Sequence, residues 1–448
     1  MSISAIAWLL AYLVLALKGF SRPVYACSAY LLTFFLSPSN WWWGKGLLSS
    51  ITLRWNLAAT LLIIAAILVN WHRLPKLSRA DKWFMGLLIT YVINAFFVNW
   101  LLANLPLESA KEFDLVWKSV GLALLLRVCI WDKLDLDILL MTILVCSAYI
   151  GFEVIFNGAG TPVKGRLEGI NFPGATGSNG CAAILTISLF CIGYFVVCNP
   201  FPYARIVAFL SAPLILDTLL RCNSRGSYLS LAIGGVGLIL LANGKSRKYA
   251  ILIGLGGVAA FLLQAQSGNI WDRLFSISAS EEERDDSAEQ RVQSWTAGMK
   301  MVADYPLGSG GHAAFVSPRG MTYITHIRTD EYRSVHNGYI NIMAGWGVQG
   351  FALLIAALLT GSWTLIRTMY RNVYDVPDTH TFLGACLIAA LVGQLVCTMF
   401  GDYLDGEWFF WLVVFGLAYS EFDASQAEDS DAADESLDCD PLIATNAI

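Results

Sequence analysis

Four stretches of this sequence place arginine or histidine in the links between long apolar runs, a setting in which charge needs a reason. The first is Lys164-Gly165-Arg166-Leu167-Glu168-Gly169. A Gly-rich loop lets backbone amides approach an anion, and the planar guanidinium of Arg166 matches phosphate oxygens. A solvated loop with Arg166 paired to Glu168 accounts for the same residues. In the second, Arg221-Cys222-Asn223-Ser224-Arg225-Gly226-Ser227, Arg225 stands at the start of a helix, where free amides and the helix dipole favour an anion. Arg221 has Asp217 one turn earlier at i,i+4 spacing, so a local ion pair suffices for it.

The third stretch carries Arg291. Ser287-Ala288-Glu289-Gln290 has capping-box form, and Val292, Trp295, Met299 and Val302 recur at helical spacing, which predicts an amphipathic helix packed on the rest of the chain as a lid. The turn-rich Tyr305–His312 that ends it reads as a structural turn. The fourth is Arg333-Ser334-Val335-His336-Asn337, directly before an apolar helix in which Ala344, Gly347 and Gly350 permit close packing. An imidazole there can accept a proton near neutral pH, or donate to phosphate when charged. Asp402, Asp405 and Glu407 balance the arginines or, as the weaker reading, bind a cation; His72, His380, His312 and His326 form no metal cage. The implied chemistry is an anion clamp beside a proton acceptor.

The elements that must hold these groups are membrane helices. Apolar residues make up 56% of the 448 and charged residues 14%, with mean hydropathy +0.58. An ordinary soluble domain is about a quarter charged, so a soluble globular fold is excluded. Runs such as Trp83–Ala103, Leu136–Phe156, Cys181–Cys198, Ile340–Ile366 and Leu383–Met399 nearly exclude charge. They approach the roughly 20 residues that cross about 30 Å of hydrocarbon, and continuous rather than alternating apolarity argues for helices.

Basic residues gather in the loop His72–Lys82, in Asn243–Lys248 and at Arg367 and Arg371, which the positive-inside rule puts in the cytoplasm. The links 157–179, 221–226, 265–335 and 401–407 then lie outside. The fold expected is an all-α polytopic membrane protein with about 12 transmembrane helices, both ends cytoplasmic, and one large periplasmic loop containing the amphipathic helix. The count of 12 takes Pro23 to break a single or re-entrant segment; if Ile3–Leu17 and Val24–Leu36 both cross, it becomes 13 and the N-terminus lies outside.

The expected units are 1–264 (helices with short loops), 265–335 (the large loop), 336–420 (the last three helices) and 421–448, an acidic, aromatic-poor tail expected to be a disordered cytoplasmic extension. Ile3–Leu17 lacks the basic start of a cleavable signal peptide. Trp41–Trp43 reads as an interfacial aromatic anchor. Ten scattered cysteines without a CxxC pair, of which only Cys222 is expected near the outer face, suggest neither structural disulfides nor a zinc site. The net charge of -5 comes largely from the tail and says little about partners.

His336-Asn337, nine residues, then Gly347-Val348-Gln349-Gly350 resembles the pattern H-[NSQ]-x9-G-x-x-[GTY] of the bacterial O-antigen ligases of lipopolysaccharide assembly. Ser224-Arg225-Gly226, and Arg291 to Trp295 followed by Asp304-Tyr305-Pro306-Leu307-Gly308, resemble the wider superfamily that includes O-antigen polymerases and protein O-oligosaccharyltransferases. The resemblance implies a GT-C-like, inverting glycosyltransferase that needs no metal, nucleotide or other cofactor and works at the periplasmic face of the bacterial inner membrane. Its donor would be O-antigen polysaccharide on undecaprenyl pyrophosphate, and its acceptor a sugar hydroxyl of the lipid A core oligosaccharide. Membrane lipids, and no nucleic acid, complete the expected partners.

On this resemblance His336 is the general base, Arg225 and Arg291 act with it in catalysis, and Arg166, Asn337, Arg333 and Arg221 bind substrate. A polymerase or an oligosaccharyltransferase of the same fold is the alternative. A transporter of lipid-linked glycan is the reading from another class. No internal repeat supports it, and charges inside the apolar runs are few, Lys118 and Arg127 being the main cases, both able to snorkel to an interface.

Overall fold

The computed structural model describes residues 2–46, 48, 54–163, 165–175, 177–264, 286–311, 317–324, 335–371 and 378–438. Long apolar sequence with few breakers gives helix nearly throughout. The helices are α1 (Ile3–Gly19), α2 (Val24–Phe35), α3 (Trp55–Val69), α4 (Arg79–Leu101), α5 (Pro106–Cys129) and α6 (Lys133–Phe156). A small hairpin, β1 (Thr161–Val163) and β2 (Arg166–Glu168), precedes α7 (Gly177–Cys198), α8 (Ala204–Cys222), α9 (Arg225–Leu241) and α10 (Gly244–Gln264). Then come α11 (Asp286–Asp304), α12 (Gly338–Arg371), α13 (Asp378–Thr398) and α14 (Glu407–Asp438).

Six of these helices are long and apolar enough to cross a membrane: α4, α6, α7, α10, α12 and α13. α1, α3 and α9 are shorter but equally apolar. Leu57 and Leu61 on α3, Phe209 and Leu210 on α8, and Leu252 and Leu255 on α10 all point outward and exposed. Such a surface is stable against lipid rather than water. The molecule is thus an all-α polytopic membrane protein.

Its centre is the start of α14, where Trp408, Phe409, Phe410 and Trp411 are buried. Polar groups at that depth must find partners. Trp408 Nε1 donates to Gln394 Oε1 (3.2 Å), and Gln394 Nε2 donates to the Ala183 carbonyl (2.6 Å) and Thr186 Oγ1 (2.7 Å), tying α14, α13 and α7 together.

Several expectations change. Ile3–Leu17 and Val24–Leu36 are two helices packed on each other and separated at Pro23, the second only 12 residues long. Their turn lies at the end where Asn70 Nδ2 donates to the Phe20 carbonyl (3.0 Å) and Arg22 pairs with Asp132 (2.5 Å) and Asp135. α5 carries too many charges to read as an apolar run. Lys118 does reach the surface, paired with Asp114, but Arg127 does not snorkel. It is fully buried, with Nε and Nη2 donating to Asp81 (2.7 and 2.9 Å) and Nη2 also to Glu421. α14 runs on as helix to Asp438, into the stretch expected to be disordered; 439–448 fall outside the described residues.

The inward face of α11 is also shifted. Val292 and Met299 are exposed, whereas Ala297, Met301 and Val302 are buried and Trp295 half-buried. Gly298 lets the helix come so close that an added Cβ would meet Ile340 at 2.7 Å and Val335 at 3.3 Å. Small residues, not the large apolar ones, mark the contact.

α12 is two helices merged across a break at Gly347, whose φ of 82° and ψ of 166° suit only glycine. The break frees carbonyls, and the turn after α11 docks onto them. Ser309 N donates to the Ala344 carbonyl (3.0 Å) and Gly310 N to that of Gly345 (3.0 Å), while Val348 N donates to the Pro306 carbonyl (2.9 Å). Asn94 Nδ2 takes up the Trp346 carbonyl (2.9 Å). The structural-turn reading of Tyr305–His312 fits its described part; His312, like His326, lies outside the described residues.

Candidate active site

The β1–β2 hairpin turns at Gly165 (φ 71°) and pairs Val163 with Arg166, which sets Arg166 at the head of β2. Glu168, two residues on, turns to the start of α7: Ser178 N donates to Oε2 (2.9 Å) and Ser178 Oγ to Oε1 (2.7 Å). The carboxylate that sequence offered to Arg166 therefore anchors the hairpin to α7. Asn223, left-handed at φ 48°, ends α8 and donates from Nδ2 to the Gly165 carbonyl (3.4 Å). The chain re-enters helix at once, and Arg225 is the first residue of α9, where the first amides have no intrahelical acceptor. An added Cβ on Gly226 would lie 3.1 Å from Phe400, so glycine lets the α13–α14 link close over this turn. On α11, Trp295 sits with its ring 6.4 Å from that of Phe400, one turn beyond Arg291.

These elements enclose a cleft of about 400 Å³, partly open to solvent, lined by Arg166, Asn179, Ser224, Arg225, Gly226, Ser227, Arg291, Cys397, Phe400 and Tyr403. Three arginines from β2, α9 and α11, all half-buried, face one space. Apolar walls lower the local dielectric and strengthen the attraction of those cations for an anion. The N-terminus of α9 adds to it.

Sequence reasoning missed Phe400, Tyr403 and Cys397; Cys397 and Cys181 join Cys222 as cysteines at this end. Only the position of Gly401-Asp402-Tyr403 in a polar link pointed to Tyr403. Burial pushes its phenol pKa well up, with Asp402 adding to the rise and Arg291 opposing it, so the hydroxyl stays protonated.

His336 does not line the cleft. It stands exposed at the base of α12 with a left-handed backbone, φ 52°. Such a conformation costs a non-glycine residue about 1–3 kcal/mol and is found where the surroundings impose it. Here Asn337 Oδ1 accepts from Tyr339 N (3.1 Å) and Ile340 N (3.2 Å), capping α12, and Gly338 N donates to the Gly401 carbonyl (2.9 Å). The histidine is thereby stitched to the link that supplies Phe400 and Tyr403. Asn337 spends its carbonyl oxygen on the cap. Arg221 is exposed, with Nε donating to Asp217 Oδ2 (2.6 Å), and is not part of the cleft wall. Arg333 and Lys164 lie outside the described residues.

Fold and cleft together define a polytopic helical membrane protein with an arginine-lined cleft. Residues 209–355 match the family described as O-antigen ligase, and residues 3–166 match a family of unknown function. No curated protein matches the chain. About a third of the chain is thus similar to the O-antigen ligase family. The first match contains Arg225, Arg291 and His336, and Tyr403 lies outside both.

Proposed function

We propose that this protein is an O-antigen ligase, transferring O-antigen polysaccharide from undecaprenyl pyrophosphate to a sugar hydroxyl of the lipid A core at the periplasmic face of the bacterial inner membrane. The observation that carries the reading is the convergence of Arg166, Arg225 and Arg291 on one cleft. The basic loops 72–82 and 243–248 follow the opposite ends of the helices, which by the positive-inside rule supports an outward-facing cleft. On this topology residues 265–335 form the large outer loop.

In the reaction, the acceptor oxygen bonds to the anomeric carbon as the bond from that carbon to the phosphate oxygen breaks. The electron pair leaves with the diphosphate, whose growing charge the three guanidiniums neutralise; such fixed electrostatic groups are worth about 3–4 kcal/mol each when removed singly. His336 takes the acceptor proton, worth about 10²–10⁴-fold. Attack opposite the leaving group inverts the carbon.

The test is transfer by the purified protein from lipid-linked O-antigen, offered either lipid A core or a second O-antigen unit. Product on lipid A core, lost in His336→Ala with the melting transition unchanged, is the expected result. Elongation of the second unit alone would make the protein a polymerase, and full transfer by His336→Ala would remove the histidine from the mechanism.

A further inference from the structure

Tyr403 is packed between Gly401 and Trp408. Its ring folds back over Gly401 so closely that an added Cβ there would lie 2.3 Å from Cε2 and 2.8 Å from the hydroxyl oxygen. On its other side the Trp408 ring centroid is 6.0 Å away. The glycine that admits the ring also accepts the Gly338 amide through its carbonyl, so one short link fixes both the phenol and the histidine stretch. The side chain lines the same cleft as Arg166, Arg225 and Arg291.

A fourth cation there would be repelled by three guanidiniums. A neutral hydroxyl instead adds a hydrogen bond without that cost, and a phenol kept protonated by burial can only donate to an anion. We propose that Tyr403 is a catalytic residue that donates its O–H to a phosphate oxygen of the diphosphate leaving group, a bond that strengthens as charge builds on that oxygen. Tyr403 keeps its proton throughout; the acceptor proton goes to His336. The inference rests on the diphosphate reading of the cleft and deepens it. Neither matched family segment reaches this residue.

The probe is inorganic pyrophosphate, titrated onto the purified full-length protein, its Tyr403→Phe and Arg225→Ala variants, with transfer kinetics alongside. Tyr403→Phe keeps the ring against Trp408 and loses only the donor. It should weaken pyrophosphate binding about tenfold and lower kcat about 10- to 100-fold, as loss of a hydrogen bond to a charged group does, with KM for the acceptor unchanged. The deficit should be flat from about pH 6 to about pH 9, because the phenol does not ionise there. Gly401→Ala, which pushes the ring out of place, should reproduce it. If Arg225→Ala loses pyrophosphate while Tyr403→Phe binds and turns over like the parent, this proposal is overturned and the cleft reading stands. If the parent binds pyrophosphate no better than Arg225→Ala, both fall together.

Discussion

Two regions of this protein bring arginine into contact with its interior, and they do so in opposite ways. At the end away from the cleft, Arg127 is completely enclosed, with Asp81 and Glu421 around its guanidinium and Ser78 N donating to both carboxylates (3.0 and 2.9 Å). At the cleft, Arg166, Arg225 and Arg291 are half-buried with a side toward solvent, and the carboxylate nearest Arg166 in sequence is turned away to cap α7. Enclosed pairing joins α4, α5 and α14. Convergence on a cleft sets guanidiniums around a space that an incoming anion can enter. Arginine count alone tells the two apart poorly; what surrounds each guanidinium tells them apart well.

The comparison can be broken from either side. Arg127→Ala leaves the buried Asp81 and the half-buried Glu421 without their cation, and removal of one member of a buried pair costs about 3–5 kcal/mol. The expected outcome is a large drop in thermal or denaturant stability, with pyrophosphate affinity of the folded protein unchanged. A variant that stays stable but loses pyrophosphate would assign Arg127 to the site. Asp217→Asn releases Arg221, exposed at 52% of its side-chain surface, from a surface ion pair. Such pairs are worth at most about 1 kcal/mol, so stability and transfer should both hold, and a strong loss of transfer would bring Arg221 back into the mechanism.

The membrane class was readable from composition because a chain with so little charge has no soluble solution. Arg225, Arg291 and Arg166 were readable for a local reason: each stands beside glycine or at a helix start, features that survive in a linear string. What was not readable depended on contacts between distant segments. The face of α11 was misjudged because hydropathy favours Val292 and Met299, whereas close helix contact selects Ala297 and Gly298. Arg127 was expected at an interface because Glu421 lies almost 300 positions away in sequence, inside what looked like an acidic tail. The capping bonds of Asn337 Oδ1 depend on the turn that opens α12 and leave no mark in the linear string. Tyr403 is one residue in a short link, with no periodicity to announce it.

The central claim is that three arginines from separate elements act on one diphosphate. The most direct test is the affinity of the purified full-length protein for inorganic pyrophosphate, compared among Arg166→Ala, Arg225→Ala and Arg291→Ala. Each substitution removes a charged hydrogen bond, so each should weaken binding by about tenfold or more, with a shallower salt dependence than the parent. Parent-like affinity in two of the three would contradict a shared clamp.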